Sequence, residues 1–219
     1  MSPTTKPLKI DLVSDIVCPW CIIGYLRLQQ AQRQLLDELQ FEVTWRPFEL
    51  NPQMPPAGEN VTEHLSRKYG RPPEMMLEAR RHIVQLGHAV GFQFTLNDER
   101  RIYNTFDAHR VLHWAREMGR QTEFELALFR EYFSAGHNPS AASVLQRVAG
   151  GLGLDTDRVD AILSTDAYAA EVRREQRRYQ DLGIHSVPAF IVNGSTMITG
   201  AQETEQLVNT FRQIARQAA

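Results

Sequence analysis

The chain has 219 residues, of which 42% are apolar and 23% charged, and its formal net charge is −2. That length holds one large domain, or a compact domain carrying an insertion, with enough apolar side chain for a core. Basic and acidic residues are interspersed, which argues against non-specific nucleic-acid binding and against an anionic membrane partner.

The N-terminus, MSPTTKPLKIDLVSD, has no apolar h-region and passes from a short polar tail into a strand-like run. The longest nearly apolar stretch is too short to span a bilayer, so a cytoplasmic location is the expectation. Within that opening, Lys9 to Ser14 alternates apolar Ile10 and Leu12 with other residues and predicts a strand. CPWC follows at 18–21 after a short turn. Ile22, Tyr25, Leu28, Leu35 and Leu39 then recur at helical spacing and predict an amphipathic helix to about Leu39. Phe41, Val43 and Trp45 alternate as a second strand, closed by Pro47.

The Pro/Gly-rich loop NPQMPPAGEN marks a change of character. Helices are predicted over 60–69, 73–90, 99–118, 121–135, 140–151, 157–164 and 166–182, with Gly119, Gly136 and Gly153 where helices should stop. The segment FELALFREYF is apolar on more than one face, as in a helix packed on two sides. After Gly183 the strand signals return: AFIVN, the hairpin turn Asn193-Gly194, and TMITG. Leu207, Val208, Phe211, Ile214 and Ala215 place a closing helix. Neither the first strand pair nor the hairpin is stable alone, whereas four strands flanked by helices are. The expected architecture is an α/β unit, 1–58 and 184–219, interrupted by an all-helical insertion, 59–183, that includes the connecting helix back to the core.

Cys18 and Cys21 are the only cysteines. Such a pair can be a metal clip, an inert couple or a working dithiol. A zinc site needs four ligands and the partner cysteine pair is absent. His109 and His113 share a helix face but lie far along the chain, so no metal is expected. A reducing compartment and an adequate core both argue against a stabilising staple. Placed between a strand and a helix, Cys18 meets unpaired N–H groups and the positive end of the helix dipole, which favour a thiolate. Cys21, one turn further in, is placed to attack a mixed disulfide. Pro19 suits the helix start, where its missing N–H costs nothing. Asp15 either influences the pair and helps move its proton, or merely ends the strand and caps the turn. Pro188 opens its strand rather than interrupting it.

The stretches SDIVCPWCIIG (14–24), WRPFELNPQMPPAG (45–58), NTFDAHRVL (104–112), ALFREYFSAG (127–136) and GIHSVPAFIVNG with ITGAQ (from 183 and 198) span nearly the whole chain. Together they resemble the DsbA-like branch of the thioredoxin superfamily, and more narrowly its cytosolic FrnE-type members. The resemblance implies a thioredoxin fold with a helical insertion that shapes a groove over the dithiol. It implies Cys18 as the exposed nucleophile, Cys21 as the resolving thiol, and a redox-active Cys18–Cys21 disulfide. A cis Val187–Pro188 bond would hold the Val187 backbone beside Cys18, where an extended substrate segment could pair with it, with Pro19 and Trp20 on the same substrate surface. His109 would lie near the site, as an auxiliary group or as a packing and hydrogen-bonding residue.

The resemblance further implies no tightly bound cofactor, glutathione as an allowed co-substrate, disulfide-containing proteins or small thiols as substrates, and a monomer or homodimer. Kappa-class glutathione transferases and 2-hydroxychromene-2-carboxylate isomerases share the fold but use a serine near the position of Cys18. Two cysteines therefore favour dithiol–disulfide exchange (oxidation, reduction or isomerisation) over a glutathione-dependent transferase or isomerase. A non-catalytic module that holds unfolded chains is the third alternative.

Overall fold

The computed structural model describes residues 7–95, 97 and 99–218; residues 1–6, the expected polar tail, lie outside the described residues. Strand β1 (Leu8–Ser14) is the axis of the fold. It pairs in parallel with β2 (Phe41–Pro47), Leu12 facing Trp45, and antiparallel with β5 (Ala189–Val192), Leu12 facing Phe190. β6 (Thr196–Thr199) closes the sheet on the far side of β5, giving the order β2-β1-β5-β6.

Because β1 is central, both of its faces are covered. Leu8, Ile10 and Leu12 join Ile22, Leu28, Leu207 and Phe211 from helices α1 (Pro19–Gln34) and α9 (Thr204–Ala218) in one core. Val13, Ala189 and Ile191 pack on the opposite face with Tyr179 of α8 (Ala169–Asp181). There the Tyr179 hydroxyl donates to Asp11 at 3.0 Å, and Arg46 pairs with the same carboxylate at 2.8 Å.

The segment between β2 and β5 is helical: α2 (Val61–Tyr69), α3 (Pro73–Ala89), α4 (Phe106–Glu117), α5 (Gln121–Phe129), α6 (Ala142–Gly151), α7 (Thr156–Leu163) and α8. A π-helical turn, Arg130–Ser134, continues α5. One addition to the helices is a two-residue antiparallel pair, β3 (Glu59–Asn60) with β4 (Arg101–Ile102). Helices α4 to α7 surround a second core containing Val111, Trp114, Phe124, Leu128, Leu145 and Ile162. Ile16, from the turn after β1, belongs to that second core.

Three predicted boundaries shift. The helix expected over 99–118 begins only at Phe106, because Arg101–Ile102 extend to pair with β3 and the Asn104 side chain accepts from the Phe106 N–H at 2.9 Å. The helix expected to reach Leu39 ends at Gln34; the chain then turns so that the Gln40 carbonyl can meet the Leu8 N–H at 2.8 Å and start β2 beside β1. The helix expected from 166 starts at Ala169. The end of α7 and the irregular residues after it turn the carbonyls of Ile162, Thr165 and Ala167 toward the Arg110 guanidinium, which donates to all three.

Gly24 sets how closely α1 approaches β5. A Cβ there would lie 3.1 Å from Pro188 Cγ, 3.3 Å from the Phe190 ring and 3.4 Å from Ala201 Cα. Alanine would need its neighbours to move by a few tenths of an ångström, while a β-branched side chain would force helix and loop apart. Gly24→Val should lower stability by about 2 kcal/mol or more; urea unfolding with an unchanged midpoint would contradict this close contact.

Candidate active site

The dithiol sits where β1 hands over to α1. Cys18 is the N-cap residue of α1, in an extended conformation, and Pro19 occupies the first helical turn. The Cys18 N–H donates to the Asp15 carbonyl at 2.9 Å, and the Cys21 N–H to the Cys18 carbonyl at 3.1 Å. Both cysteines are free thiols. Across from them the Val187–Pro188 peptide bond is cis, and the Cys18 thiol lies 3.7 Å from the Val187 carbonyl oxygen.

The expectation of an exposed Cys18 needs correction: only 4% of the residue is accessible, and Cys21 is wholly enclosed. The Val187 carbonyl faces the Cys18 sulfur, while the accessible surface beside it belongs to Trp20, 37% exposed, and half-buried Pro19. Burial, then the neighbouring Cys18, pushes the Cys21 thiol well above its ordinary pKa, against hydrogen bonds from the Asp15 backbone N–H and the Ser14 hydroxyl.

Asp15 is fully buried and its carboxylate is held by backbone N–H groups. One carboxylate oxygen accepts from the Leu50 N–H at 2.7 Å, and the other lies 3.5 Å from the Val17 nitrogen. That second oxygen is also 3.8 Å from His109 Nε2. His109, on α4, is buried and its Nε2 stands 2.9 Å from the Phe48 carbonyl oxygen. A carbonyl only accepts, so Nε2 must carry a proton. Burial is the strongest influence on the His109 pKa and lowers it, but the hydrogen bond and charge of Asp15, with Glu125 and Glu49, reverse the balance and leave it raised. His109 and Asp15 therefore come together beside the dithiol. His113 instead faces Glu175, 3.8 Å away, and Arg116. Among the described residues no three His, Cys, Asp or Glu side chains gather to hold a metal ion.

Two residues that the sequence reading did not single out complete the buried polar cluster. Glu125, on α5, is 1% exposed and accepts from the Ser14 hydroxyl at 3.3 Å. Burial pushes its pKa up to about 7; the His109 charge and the Ser14 hydrogen bond pull down, and the Asp15 charge pushes up. The available signal was a lone carboxylate inside FELALF, a segment already read as packed on two sides. Beside the cluster is a cavity of about 10 Å³ lined by Ser14, His109 and Glu125 on the inner side and by His113, Arg116 and Glu175 nearer solvent.

A buried carboxyl with a raised pKa binds its proton more tightly in the folded state than in the unfolded one. The contribution of Glu125 to stability is therefore lost as pH rises from the ordinary carboxyl value of 4.5 through about 7. Glu125→Gln removes that loss, so its stability relative to wild type should climb across this window by up to about 3 kcal/mol. Parallel urea titrations along a pH series measure the difference; a flat difference would contradict a carboxyl titrating there.

A family model described as a DSBA-like thioredoxin domain matches residues 9–212. The structure is similar to that of a probable DsbA oxidoreductase from Streptomyces coelicolor, at 32% identity and a TM-score of 0.87, covering 94% of this chain and 89% of that one. The Bacillus subtilis protein YwbO is 27% identical over 196 residues, covering 89% of this chain and 90% of YwbO. The cytosolic disulfide reductase DsbM from Pseudomonas aeruginosa shares the fold, with a TM-score of 0.65 at 17% identity over 97% of this chain and 100% of that one.

Proposed function

Because the chain belongs to the family of DSBA-like thioredoxin domains, we propose that it catalyses thiol–disulfide exchange with Cys18 as the attacking thiol and Cys21 as its resolver. The observation that carries this reading is the placement of Cys18 at the N-cap of α1, one turn from Cys21 and 3.7 Å from the Val187 carbonyl.

The Cys18 thiolate attacks one sulfur of a substrate disulfide and expels the other as a thiolate, which takes a proton. Cys21 then loses its proton and attacks the Cys18 sulfur. A Cys18–Cys21 disulfide forms and the second substrate thiol leaves, so two electrons pass from the dithiol to the substrate. Run backwards, the same steps oxidise a substrate dithiol, and the direction follows the potential of the partner couple. A substrate segment lying extended against Val187 can exchange backbone hydrogen bonds with it, and Trp20 and Pro19 offer apolar contact on the same side. In this reading the thioredoxin-like unit, 1–58 and 184–219, supplies the thiols, and the 59–183 insertion walls the groove.

Glutathione is the small co-substrate this reading admits, supported by the DsbM structure described as a complex with GSH. It would occupy the same mixed disulfide on Cys18, so a dedicated glutathione transferase or isomerase is the second reading. A cytoplasmic setting is part of the proposal; no helix of the described residues is long and apolar enough to cross a membrane.

Cys18→Ser should bring dithiothreitol-driven insulin reduction down to the buffer background. Cys21→Ser should still take up oxidised glutathione and hold it as a stable adduct visible by mass spectrometry. Full insulin reductase activity in Cys18→Ser would sink the assignment, and saturable glutathione turnover without insulin reduction would favour the second reading.

A further inference from the structure

Arg27, on α1, is a buried cation that takes no part in the exchange steps; its side chain is only 7% exposed. Nine residues after Cys18, it stands about 14 Å further along the helix, too far for its side chain to reach the reacting sulfur. A guanidinium taken out of water costs stability unless partners satisfy it. Its partners lie in one short segment after β6. Nη1 donates to the Ala201 carbonyl at 2.6 Å, and Nη2 pairs with the Glu203 carboxylate at 2.6 Å. Glu203 is 65% exposed, so water weakens that pair and the Ala201 carbonyl is the firmer anchor.

The segment is stitched to α1 at three points. Gly24 lets Ala201 and Pro188 approach closely, Arg27 takes the Ala201 carbonyl, and the Thr204 hydroxyl donates to Gln30 Oε1 at 2.7 Å. Gly24, Arg27 and Gln30 follow at intervals of three, so each shares a helix face with the next. From here the connection runs straight to the dithiol. The Gly200 N–H, one residue before Ala201, donates to the Pro188 carbonyl at 2.8 Å. Pro188 follows Val187, which is partly accessible and whose carbonyl oxygen lies 3.7 Å from the Cys18 sulfur. Gly200 has φ 77°, a conformation glycine adopts with little restraint of its own, so this strap depends on contacts from outside it.

We propose that Arg27 is a positioning residue for peptide substrates, a deepening that rests on the dithiol reading above. By clamping Ala201 it fixes the strap, and through the Gly200–Pro188 bond it fixes the Val187 backbone beside Cys18. An extended peptide disulfide pairs with that backbone, so its recognition depends on where Val187 is held. Without the Arg27 bond the Ala201 peptide is free to turn, Gly200 loosens its hold on Pro188, and the Val187 edge shifts relative to the sulfur. A small aromatic disulfide needs no backbone partner and is indifferent to that shift. The chemical step is the same for both substrates. The Cys18 thiolate attacks one disulfide sulfur, a new S–S bond forms, and the arylthiolate leaves with the electron pair of the broken bond.

Two substrates with the same coloured leaving group separate recognition from reactivity. One is dithiobis(nitrobenzoate); the other is a short extended peptide whose central cysteine carries thionitrobenzoate in a disulfide. In Arg27→Met the second-order rate of colour release from the peptide should fall about tenfold, while release from dithiobis(nitrobenzoate) stays within about twofold. Arg27→Lys, which keeps the charge but not the two-armed fork, should lie between on the peptide. Hydrogen exchange of the Gly200 amide, followed by NMR, should quicken about tenfold in Arg27→Met. An unchanged rate on the peptide, an equal fall on both substrates, or unchanged Gly200 exchange would overturn the proposal. If Arg27→Met loses its far-ultraviolet circular dichroism signal, Arg27→Lys is read in its place: a fall confined to the peptide supports the clamp, and any other pattern overturns it. A wild type that releases colour from dithiobis(nitrobenzoate) no faster than Cys18→Ser would overturn the dithiol reading itself, and the clamp with it.

Discussion

The turn from Ser14 to Cys18 is gripped by both halves of the molecule, and the geometry of the dithiol follows from that grip. Its first residue ends β1, where the Ser14 carbonyl accepts from the Phe48 N–H at 3.0 Å. Asp15 reaches across to the Leu50 N–H, and Ile16 leaves the sheet core to pack among the helices of the intervening segment. Two residues later the chain enters α1, whose approach to Pro188 is set by the missing side chain at Gly24. A tight turn of few residues, anchored in two cores, has little freedom to misplace the sulfurs, and such positioning is what exchange between enclosed thiols needs.

The same turn concentrates charge where water is scarce. Asp15, His109 and Glu125 are all buried; His109 lies 3.8 Å from Asp15, and Glu125 accepts from Ser14, the residue before Asp15. Burial pushes the Glu125 pKa up, and the His109 charge offsets that only in part. Groups coupled so closely exchange protons as a set rather than one by one. A buried cluster of this kind costs stability. His109 comes from α4 and Glu125 from α5, whereas Ser14 and Asp15, which they meet, come from the end of β1 and the turn after it.

Much of this was legible in the residues. Alternation marked β1 and β2, the Asn193-Gly194 turn marked the hairpin, and the helical spacing of Leu207, Phe211 and Ile214 marked α9. Local signals could not show that Arg101 and Ile102 pair with residues some forty positions earlier, because the partner strand is only two residues long. Nor could they show that the chain before Ala169 breaks to feed its carbonyls to Arg110, a contact between distant segments. Glu125 was hidden for a related reason. A single acid in an apolar helix is visible, but its partner Ser14 is known only once the sheet and the helices have met.

By itself the sequence determined the family resemblance and where in the chain its motifs lie. Two cysteines three positions apart, entering a helix, with a Val-Pro before a strand, follow from local spacing and composition, and local periodicity carries that kind of information. Tertiary structure alone decided how enclosed the thiols are and which groups surround them. Burial of Cys18, the nearness of Val187, and the hydrogen bond from Ser14 to Glu125 depend on residues far apart in sequence. Desolvation and Coulomb interaction depend on distance and enclosure, not on position in the chain, so the proton chemistry of this site exists only in the folded state.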